Sequence, residues 1–384
     1  MPQSHELIHR DHPAPHSREA RLDALKGYAI LCVVTFHALG QYFTVTAAGT
    51  VYEPWALWTR SLLFSFMLPL FAFLSGYVLG RPGGFRPKQY FTKRTVGLLV
   101  PYVCWEFFYV RWMYPQFVAH PYKIVDYYLQ VFRSPYYEGR MWYLYVLWLA
   151  LMFLGLARLA KDRTWVIVLS IPIVYWIGMH LHLEGIGAVL AGRQSLAEWV
   201  IPYGNFDRLA WMYEYVAFGV LFRRFEPAIR PKLKWTGLAC GLVYLPLWLY
   251  STPRSFAAPR LPWTVATGPV GVAFQRFTEY VPLSGICAVV AIVAASYSLP
   301  SVIEEALAYP GQLSLGIYLV HFSFVEFWHD MPAWFLPVNV LLAITLSIAV
   351  TVLLGKWRVT ALLFLGEPWV KRARPLGDVH TETL

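Results

Sequence analysis

Long apolar runs recur through nearly the whole of this chain, and they constrain its fold more than any other feature. A run of roughly 17–25 apolar residues is long enough to cross the hydrocarbon core of a bilayer as a helix. Composition agrees, since 58% of the 384 residues are hydrophobic, only 14% are charged and the mean hydropathy is +0.46. We therefore expect an integral membrane protein that crosses the bilayer several times.

The positions of the runs predict an all-α fold with about ten transmembrane helices, because an open chain can satisfy its backbone groups in lipid only as helices. The candidate spans are 27–46, 58–80, 95–113, 141–158, 164–183, 209–222, 235–251, 283–299, 313–329 and 335–355. The run at 209–222 is the weakest. Residues 1–20 are polar and lack the apolar core of a cleavable signal, so the first span is expected to direct its own insertion.

The distribution of basic residues gives these spans a direction. Lys and Arg accumulate in short cytoplasmic loops of membrane proteins. With ten spans and a cytoplasmic N-terminus, 22 of the 32 Lys and Arg fall on the cytoplasmic side. We predict a multi-pass protein of the cell (inner) membrane with both termini in the cytoplasm. Its parts are a polar tail over 1–20, a transmembrane domain over 21–365 and a C-terminal tail over 366–384.

The net charge of +10 is explained by the basic residues that flank the spans. No aromatic and basic recognition module accompanies them, so the lipid bilayer is the expected partner and nucleic acid is not. The pair His180 and His182 with Glu184 is a weak metal signal without further ligands, and we predict no metal. The sequence contains no Gly-rich phosphate loop, which gives ATP-driven transport no support.

Two ionisable side chains, Lys26 and His37, lie in the first apolar segment. At 1.5 Å of rise per residue His37 is about 16 Å further along the helix than Lys26, which predicts a base near the middle of the bilayer. Groups at such depth are costly and mark functional sites by default. Neutral His has a pKa suited to taking a hydroxyl proton. The alternatives are a hydrogen-bonded packing His and a Lys that anchors the helix end at the membrane surface.

Five motifs follow one another along the chain in a fixed order. They are Arg21-x-Asp23-x-Leu25-Lys26-Gly27 followed by His37, Phe73-Leu-Ser-Gly-Tyr-Val-Leu79, Tyr90-Phe-Thr-Lys-Arg94 running to Leu99-Val-Pro-Tyr102, Met141-Trp-Tyr-Leu144, and Ser314-Leu-Gly-Ile-Tyr-Leu-Val-His321. In this order they resemble the membrane-bound acyltransferase 3 family, over about residues 20–365. Each motif alone is common in apolar helices, whereas the ordered set is fairly specific.

The resemblance implies O-acylation, usually O-acetylation, of a carbohydrate such as a polysaccharide or of another hydroxyl-bearing envelope or secreted acceptor. The family's catalytic signature, a basic residue and a His on the first span, is matched by Lys26 and His37, although the basic position is more often Arg. No bound cofactor is implied; acyl-CoA, normally acetyl-CoA, is the co-substrate. The implied partners are acyl-CoA, the hydroxyl acceptor and the bilayer, with glycan-assembly proteins as further candidates.

Two arginines on the predicted cytoplasmic side, Arg81 and Arg94, are candidates to bind the phosphates of an acyl-CoA donor. Loop arginines also fix membrane topology, which is the alternative for both. Asp23 can orient Lys26, but its place near the predicted helix start favours an N-cap.

Four residues toward the predicted outer side are candidates for binding the acceptor or supporting the catalytic His. Glu138 and Trp142 open the fourth span, where a carboxylate and an aromatic face suit a sugar ring, although aromatic residues also form interfacial belts. Tyr318 and His321 lie toward similar faces of one helix and can instead form simple interhelical hydrogen bonds.

The sequence leaves two questions open. His37 can act directly on the acceptor hydroxyl, or it can itself be acylated in a relay between the two membrane faces. A transporter or flippase for lipid-linked sugars, with His37 as a gating or proton-coupling group, is the alternative function. A catalytically inactive relative that serves in assembly is a third.

Overall fold

The computed structural model describes residues 15–46, 49–80, 85–113, 141–190, 206–255, 283–327 and 331–366, and most of these residues are helical. The helices are α1 (Pro15–Ala38), α2 (Pro54–Leu79), α3 (Pro87–Arg94), α4 (Val100–Met113), α5 (Trp142–Arg158), α6 (Thr164–Leu190), α7 (Phe206–Ile229), α8 (Leu233–Ser255), α9 (Leu283–Ser296), α10 (Ser301–Gln312), α11 (Ser314–Val320), α12 (Phe322–Val325), α13 (Leu336–Leu354) and α14 (Arg358–Leu365). Short 3₁₀ helices cover Leu39–Gln41, Arg230–Lys232 and Ala333–Phe335, and a π-helical turn covers Thr95–Leu99. Strands β1 (Phe43–Thr46) and β2 (Gly49–Tyr52) form an antiparallel hairpin.

Several helices have the length and apolarity of membrane spans. Among the described residues, three segments reach that length: Ala20–Gln41, Pro54–Leu79 and Ala333–Leu354. Shorter apolar helical segments lie at Trp142–Arg158, Thr164–Gly178 and Leu283–Ser296. Large apolar side chains cover the outer surface of the helices, which suits contact with lipid. The protein is therefore a helical membrane protein, and the number of spans, about ten, stays a prediction.

Three segments differ from the spans and loops expected from the sequence. Span 27–46 ends early because its last residues are β-branched and aromatic and enter the hairpin. Segment 300–312, expected to be a loop, is helix α10, whose buried Ala308 and Gly311 face a neighbour while Val302 is exposed. Span 313–329 is divided into α11 and α12, so the described part of this span is a broken helix.

Glycines bring two helix pairs to backbone contact. A Cβ on Gly27 of α1 would lie 1.9 Å from the carbonyl oxygen of Leu307 in α10, and one on Gly311 would lie 1.7 Å from that of Asp23. The α2–α7 pair repeats the arrangement, since a Cβ on Gly76 would lie 1.9 Å from the carbonyl oxygen of Val216. Small residues allow such close approach in membranes, where van der Waals packing drives helix association.

The helices place two distinct ends at opposite sides of the assembly. At the first, Glu226 of α7 accepts hydrogen bonds from the hydroxyls of Tyr77 (2.7 Å) and Tyr297 (2.8 Å), and the Arg21 guanidinium lies 4.0 Å from the centre of the Tyr297 ring. We call this the basic end. The other end, where α1 runs into the β1–β2 hairpin, we call the hairpin end.

Candidate active site

His37 is the penultimate residue of α1 and lies nearer the hairpin end than the middle of the span. The helix ends at Ala38 and its apolar segment runs from Ala20 to Gln41. The apolar segment begins seven residues earlier than the predicted span 27–46, so His37 lies closer to the C-terminal end of this segment than to its centre. His37 is half-buried, so its imidazole is screened from solvent without being sealed off.

Aromatic rings surround His37 on more than one side. The ring centre of Phe322 lies 4.3 Å from that of His37, and the ring of Phe36 meets it edge-on at 5.1 Å. The imidazole of His321 lies 5.0 Å away, measured between ring centres. This contact arises because α11 leaves α10 near Gly311, beside the first half of α1, and reaches the second half of α1 at His321.

His321 has a defined tautomer, and its second nitrogen remains available. The residue is fully buried, and its Nδ1 lies 2.7 Å from the carbonyl oxygen of Tyr318 and 3.1 Å from that of Ile317. Carbonyl oxygens only accept, so Nδ1 carries the proton and the neutral ring presents Nε2 as an acceptor. Nε2 is buried and has no hydrogen-bond partner among the described residues. A buried acceptor without a partner is costly and calls for a donor.

Tyr318 extends the cluster toward the start of α5. Its ring lies 5.9 Å from that of His321 and 5.6 Å from that of Tyr143, between ring centres. Tyr143 follows Trp142, which the sequence proposed as an acceptor contact. The start of α5 is fixed by the buried Glu106 of α4, whose carboxylate accepts a 2.7 Å hydrogen bond from the Met141 backbone N–H. Trp142, Tyr318 and His321 are thus brought to one side of the molecule with His37.

Arg60 of α2 is a residue that the sequence analysis missed. Its guanidinium lies 4.3 Å from the centre of the Phe36 ring and donates a 3.3 Å hydrogen bond to the Phe36 carbonyl oxygen. A positive charge therefore lies against the residue that precedes His37. An Arg at the third residue of the predicted span 58–80 is an ionisable group inside an apolar run, and that is the signal that could have identified it.

Lys26 lies on the same helix as His37 but is about 16 Å away along its axis. Its Nζ donates a 2.9 Å hydrogen bond to Asp23, and the two side chains are 31% and 21% exposed. Asp23 is therefore not an N-cap, because α1 begins eight residues earlier, at Pro15. The structure separates Lys26 from His37, and Lys26 lies toward the basic end.

Of the three remaining site candidates, the structure describes one and leaves two undescribed. Arg94 is the last residue of α3 and lies close to Tyr90 and Arg158. The pKa of its guanidinium is lowered, chiefly by burial and also by the positive charge of Arg158, and Tyr90 offsets only part of this effect. Arg81 and Glu138 lie outside the described residues, so the structure does not place them.

The possible metal ligands do not form a cluster in the part of the chain that the structure describes. His180 instead stacks on Trp176, with ring centres 5.2 Å apart and planes 5° from parallel. The side chains of His182 and Glu184 lie outside the described set.

We call His37, His321, Tyr318 and Arg60 the hairpin-end cluster. Its side chains include groups suited to acyl transfer to a hydroxyl. An imidazole can take the hydroxyl proton, a second imidazole offers an acceptor that can orient the first, and a guanidinium is close enough to favour negative charge nearby.

Comparison with known proteins agrees with the motifs in the sequence. The family model described as an acyltransferase domain, Acyl_transf_3, matches residues 19–365. No curated protein and no solved structure matches the chain. Because the match covers nearly all of the sequence, the family predicted from the five motifs is confirmed, and this chain belongs to the acyltransferase 3 family and is an acyltransferase.

Proposed function

We propose that this protein is a cell-membrane O-acyltransferase. It moves an acyl group, with acetyl as the expected one, from acyl-CoA supplied at the cytoplasmic side to a hydroxyl of a carbohydrate or another envelope or secreted acceptor. The observation that carries the proposal is the position of His37 beside His321, whose buried Nε2 has no hydrogen-bond donor among the described residues. Membership of an acyltransferase family supplies the reaction class.

The tautomer of His321 supports a role for His37 as a general base. A ring N–H of His37 can donate to Nε2 of His321, directly after a small rotation or through one water, since the ring centres are 5.0 Å apart. The other nitrogen of His37 is then the unprotonated one and can take the acceptor's proton. This is the logic by which a hydrogen-bonded partner fixes the tautomer and orientation of a catalytic imidazole.

The chemical step balances with these residues. The acceptor oxygen loses its proton to His37 and bonds to the acyl carbon. The carbon–sulfur bond then breaks, and the thiolate leaves and takes up the proton from His37. Arg60 is placed to favour the negative charge that develops on the acyl oxygen. Tyr318 and Trp142 lie on the acceptor side of this arrangement and are proposed to contact the acceptor.

The position of His37 bears on how the donor reaches it. Arg21, at the basic end, is about 24 Å from His37 along α1, so a donor that enters from the cytoplasm must extend its thioester through most of the span. The same distance applies to a relay in which His37 carries the acyl group. Both routes remain open, and both require His37.

The proposal is tested with the full-length protein expressed in cells that are supplied with labelled acetyl groups. The ester label on surface glycans and secreted metabolites is measured for the wild type, for His37→Ala and for the control His180→Ala. We expect the wild type to label one acceptor class, His37→Ala to lose about 10²-fold or more and the control to stay near wild type. Full labelling by His37→Ala, or no ester label with the wild type, would contradict the proposal.

The transporter or flippase interpretation gains nothing from the described contacts or from the family match. It predicts that His37→Ala alters the movement of a lipid-linked sugar without changing any ester. The same extracts therefore decide between the two functions, since the transporter leaves the acyl content of every acceptor unchanged.

A further inference from the structure

A cleft of about 840 Å³ lies at the basic end, far from the hairpin-end cluster. It is formed where α3 begins, where α5 turns into α6 and where α7 ends. Its volume is within the range of about 300–1,000 Å³ typical of small-molecule sites.

The charged side chains that line this cleft are mostly positive. Four basic side chains and one carboxylate are among its described lining residues, namely Arg158, Lys161, Arg163, Arg224 and Asp162. The Asp162 carboxylate is already engaged. Arg158 binds it through two parallel hydrogen bonds of 2.9 Å, and Arg224 donates to the same carboxylate as well as to the Asp162 carbonyl at 3.0 Å. The one acidic group therefore does not oppose the binding of an anion.

This clamp holds a turn with an unusual backbone. Lys161 and Asp162 are consecutive residues with φ values of 57° and 53°, in the left-handed region that non-glycine residues rarely adopt. Strain of this kind persists only where surrounding contacts enforce it, and it is concentrated at functional sites. The two arginines supply the enforcing contacts.

The turn exposes two further cations at the mouth of the cleft. Lys161 and Arg163 are both exposed, and neither forms an ion pair with any described side chain. Beside them, the Phe85 ring lies 4.8 Å from the Arg158 guanidinium, which gives the cleft an aromatic wall. Arg94 is close enough to Arg158 for their charges to interact and forms no ion pair within the described residues, so its charge adds to the positive potential.

We propose that this cleft binds a phosphate-ester anion through Lys161 and Arg163, with Arg158, Asp162 and Arg224 as the scaffold that shapes the turn. Two sources carry that chemistry: the nucleotide part of a coenzyme A thioester and the headgroup of an anionic lipid. A nucleotide here rests on the proposed function and specifies where the donor is held. A lipid headgroup here would be independent of the transfer reaction.

The first arm of the test uses a nucleotide without a thioester. Full-length His37→Ala protein in nanodiscs of zwitterionic lipid is titrated with adenosine 3′,5′-bisphosphate, so that binding is measured without transfer. A double variant, Lys161→Gln with Arg163→Gln, removes the two exposed cations. Its matched control, Lys232→Gln with Lys234→Gln, removes the same charge at exposed positions outside the cleft. We expect the double variant to weaken binding at least about tenfold and the control to have little effect.

The second arm uses nanodiscs that contain an anionic phospholipid. If the ligand is a headgroup, the nucleotide does not bind, and the anionic lipid raises the unfolding temperature of the parent and control proteins but not of the double variant. Equal behaviour of all three proteins in both arms would overturn the proposal. That outcome leaves the transfer assay on His37 unaffected, so the two proposals fail separately.

Discussion

The buried Nε2 of His321 has no hydrogen-bond partner in the part of the chain that the structure describes, and the His37 ring lies 5.0 Å from the His321 ring, between ring centres. The backbone carbonyls of Tyr318 and Ile317 hold the proton on its other nitrogen. The helix that carries His321 thus fixes this imidazole as an acceptor, and the ring of His37 lies next to it.

Replacing His321 by Phe should lower kcat for acyl transfer by about 10–100-fold, because the partner that orients His37 is lost. His321→Gln should recover part of this loss, since its side-chain oxygen can replace Nε2 as an acceptor. The measurement is kcat and KM for transfer, together with the unfolding temperature of each variant. Equal losses in Phe and Gln variants that share a lowered unfolding temperature would indicate a packing role only.

Lys26→Gln should raise KM for acyl-CoA several-fold and leave kcat close to that of the wild type. The ammonium pairs with Asp23, is about a third exposed, and lies about 16 Å from His37 along the helix, so it cannot reach the same reacting atoms. Initial rates at varied acyl-CoA concentration separate the two parameters. A fall in kcat as large as that of His37→Ala would show that Lys26 takes part in the chemical step.

Gly27→Ala and Gly311→Ala should each destabilise the protein by about 1–3 kcal/mol or more, because the added methyl groups would overlap backbone carbonyl groups across the α1–α10 contact. The control is Gly241→Ala in α8, whose Cβ would lie at an ordinary 3.8 Å from its nearest neighbour. Thermal unfolding in a single detergent compares the three. Unchanged stability in both α1–α10 variants would mean that the two helices can separate without cost.

Asp162→Ala should destabilise the basic end by about 3–5 kcal/mol, because it leaves two largely buried arginines without their carboxylate. Asp162→Asn should cost less, since Asn keeps hydrogen-bonding oxygen and tolerates the left-handed backbone. Glu305→Ala, at an exposed position, serves as the control. Unfolding by heat or denaturant measures the difference, and equal stability of Asp162→Ala and wild type would refute the scaffold role of the clamp.

The sequence predicted the family because its motifs are local patterns, and it singled out His37 as the candidate base for the same reason. His37 stands out as an ionisable group in an apolar run, and its spacing from Lys26 is fixed by helix geometry alone. Its position within the apolar segment was harder to predict, because the segment extends back to Ala20 within a helix that begins at Pro15.

The rest of the site depends on contacts between distant residues. Arg60 reaches Phe36, the neighbour of His37, only because α2 packs back along α1, and the Arg224–Asp162 pair joins residues 62 positions apart. Segment 300–312 was expected to be a loop for a related reason. The apolar face of α10 is short, and the contact with Gly27 shows that this face packs on α1. Sequence periodicity reports which side of a helix is apolar, but not which helix covers it.

The glycine contact between α1 and α10 also restricts which helices can move during the reaction. With Gly27 and Gly311 pressing backbone on backbone, α1 has no clearance to slide or rotate against α10, and interfaces packed this closely do not deform continuously. The helix that carries His37 is therefore held in a fixed position relative to α10. In the proposed mechanism, donor and acceptor therefore come to His37, and a helix that moves to admit them must be one other than the α1–α10 pair.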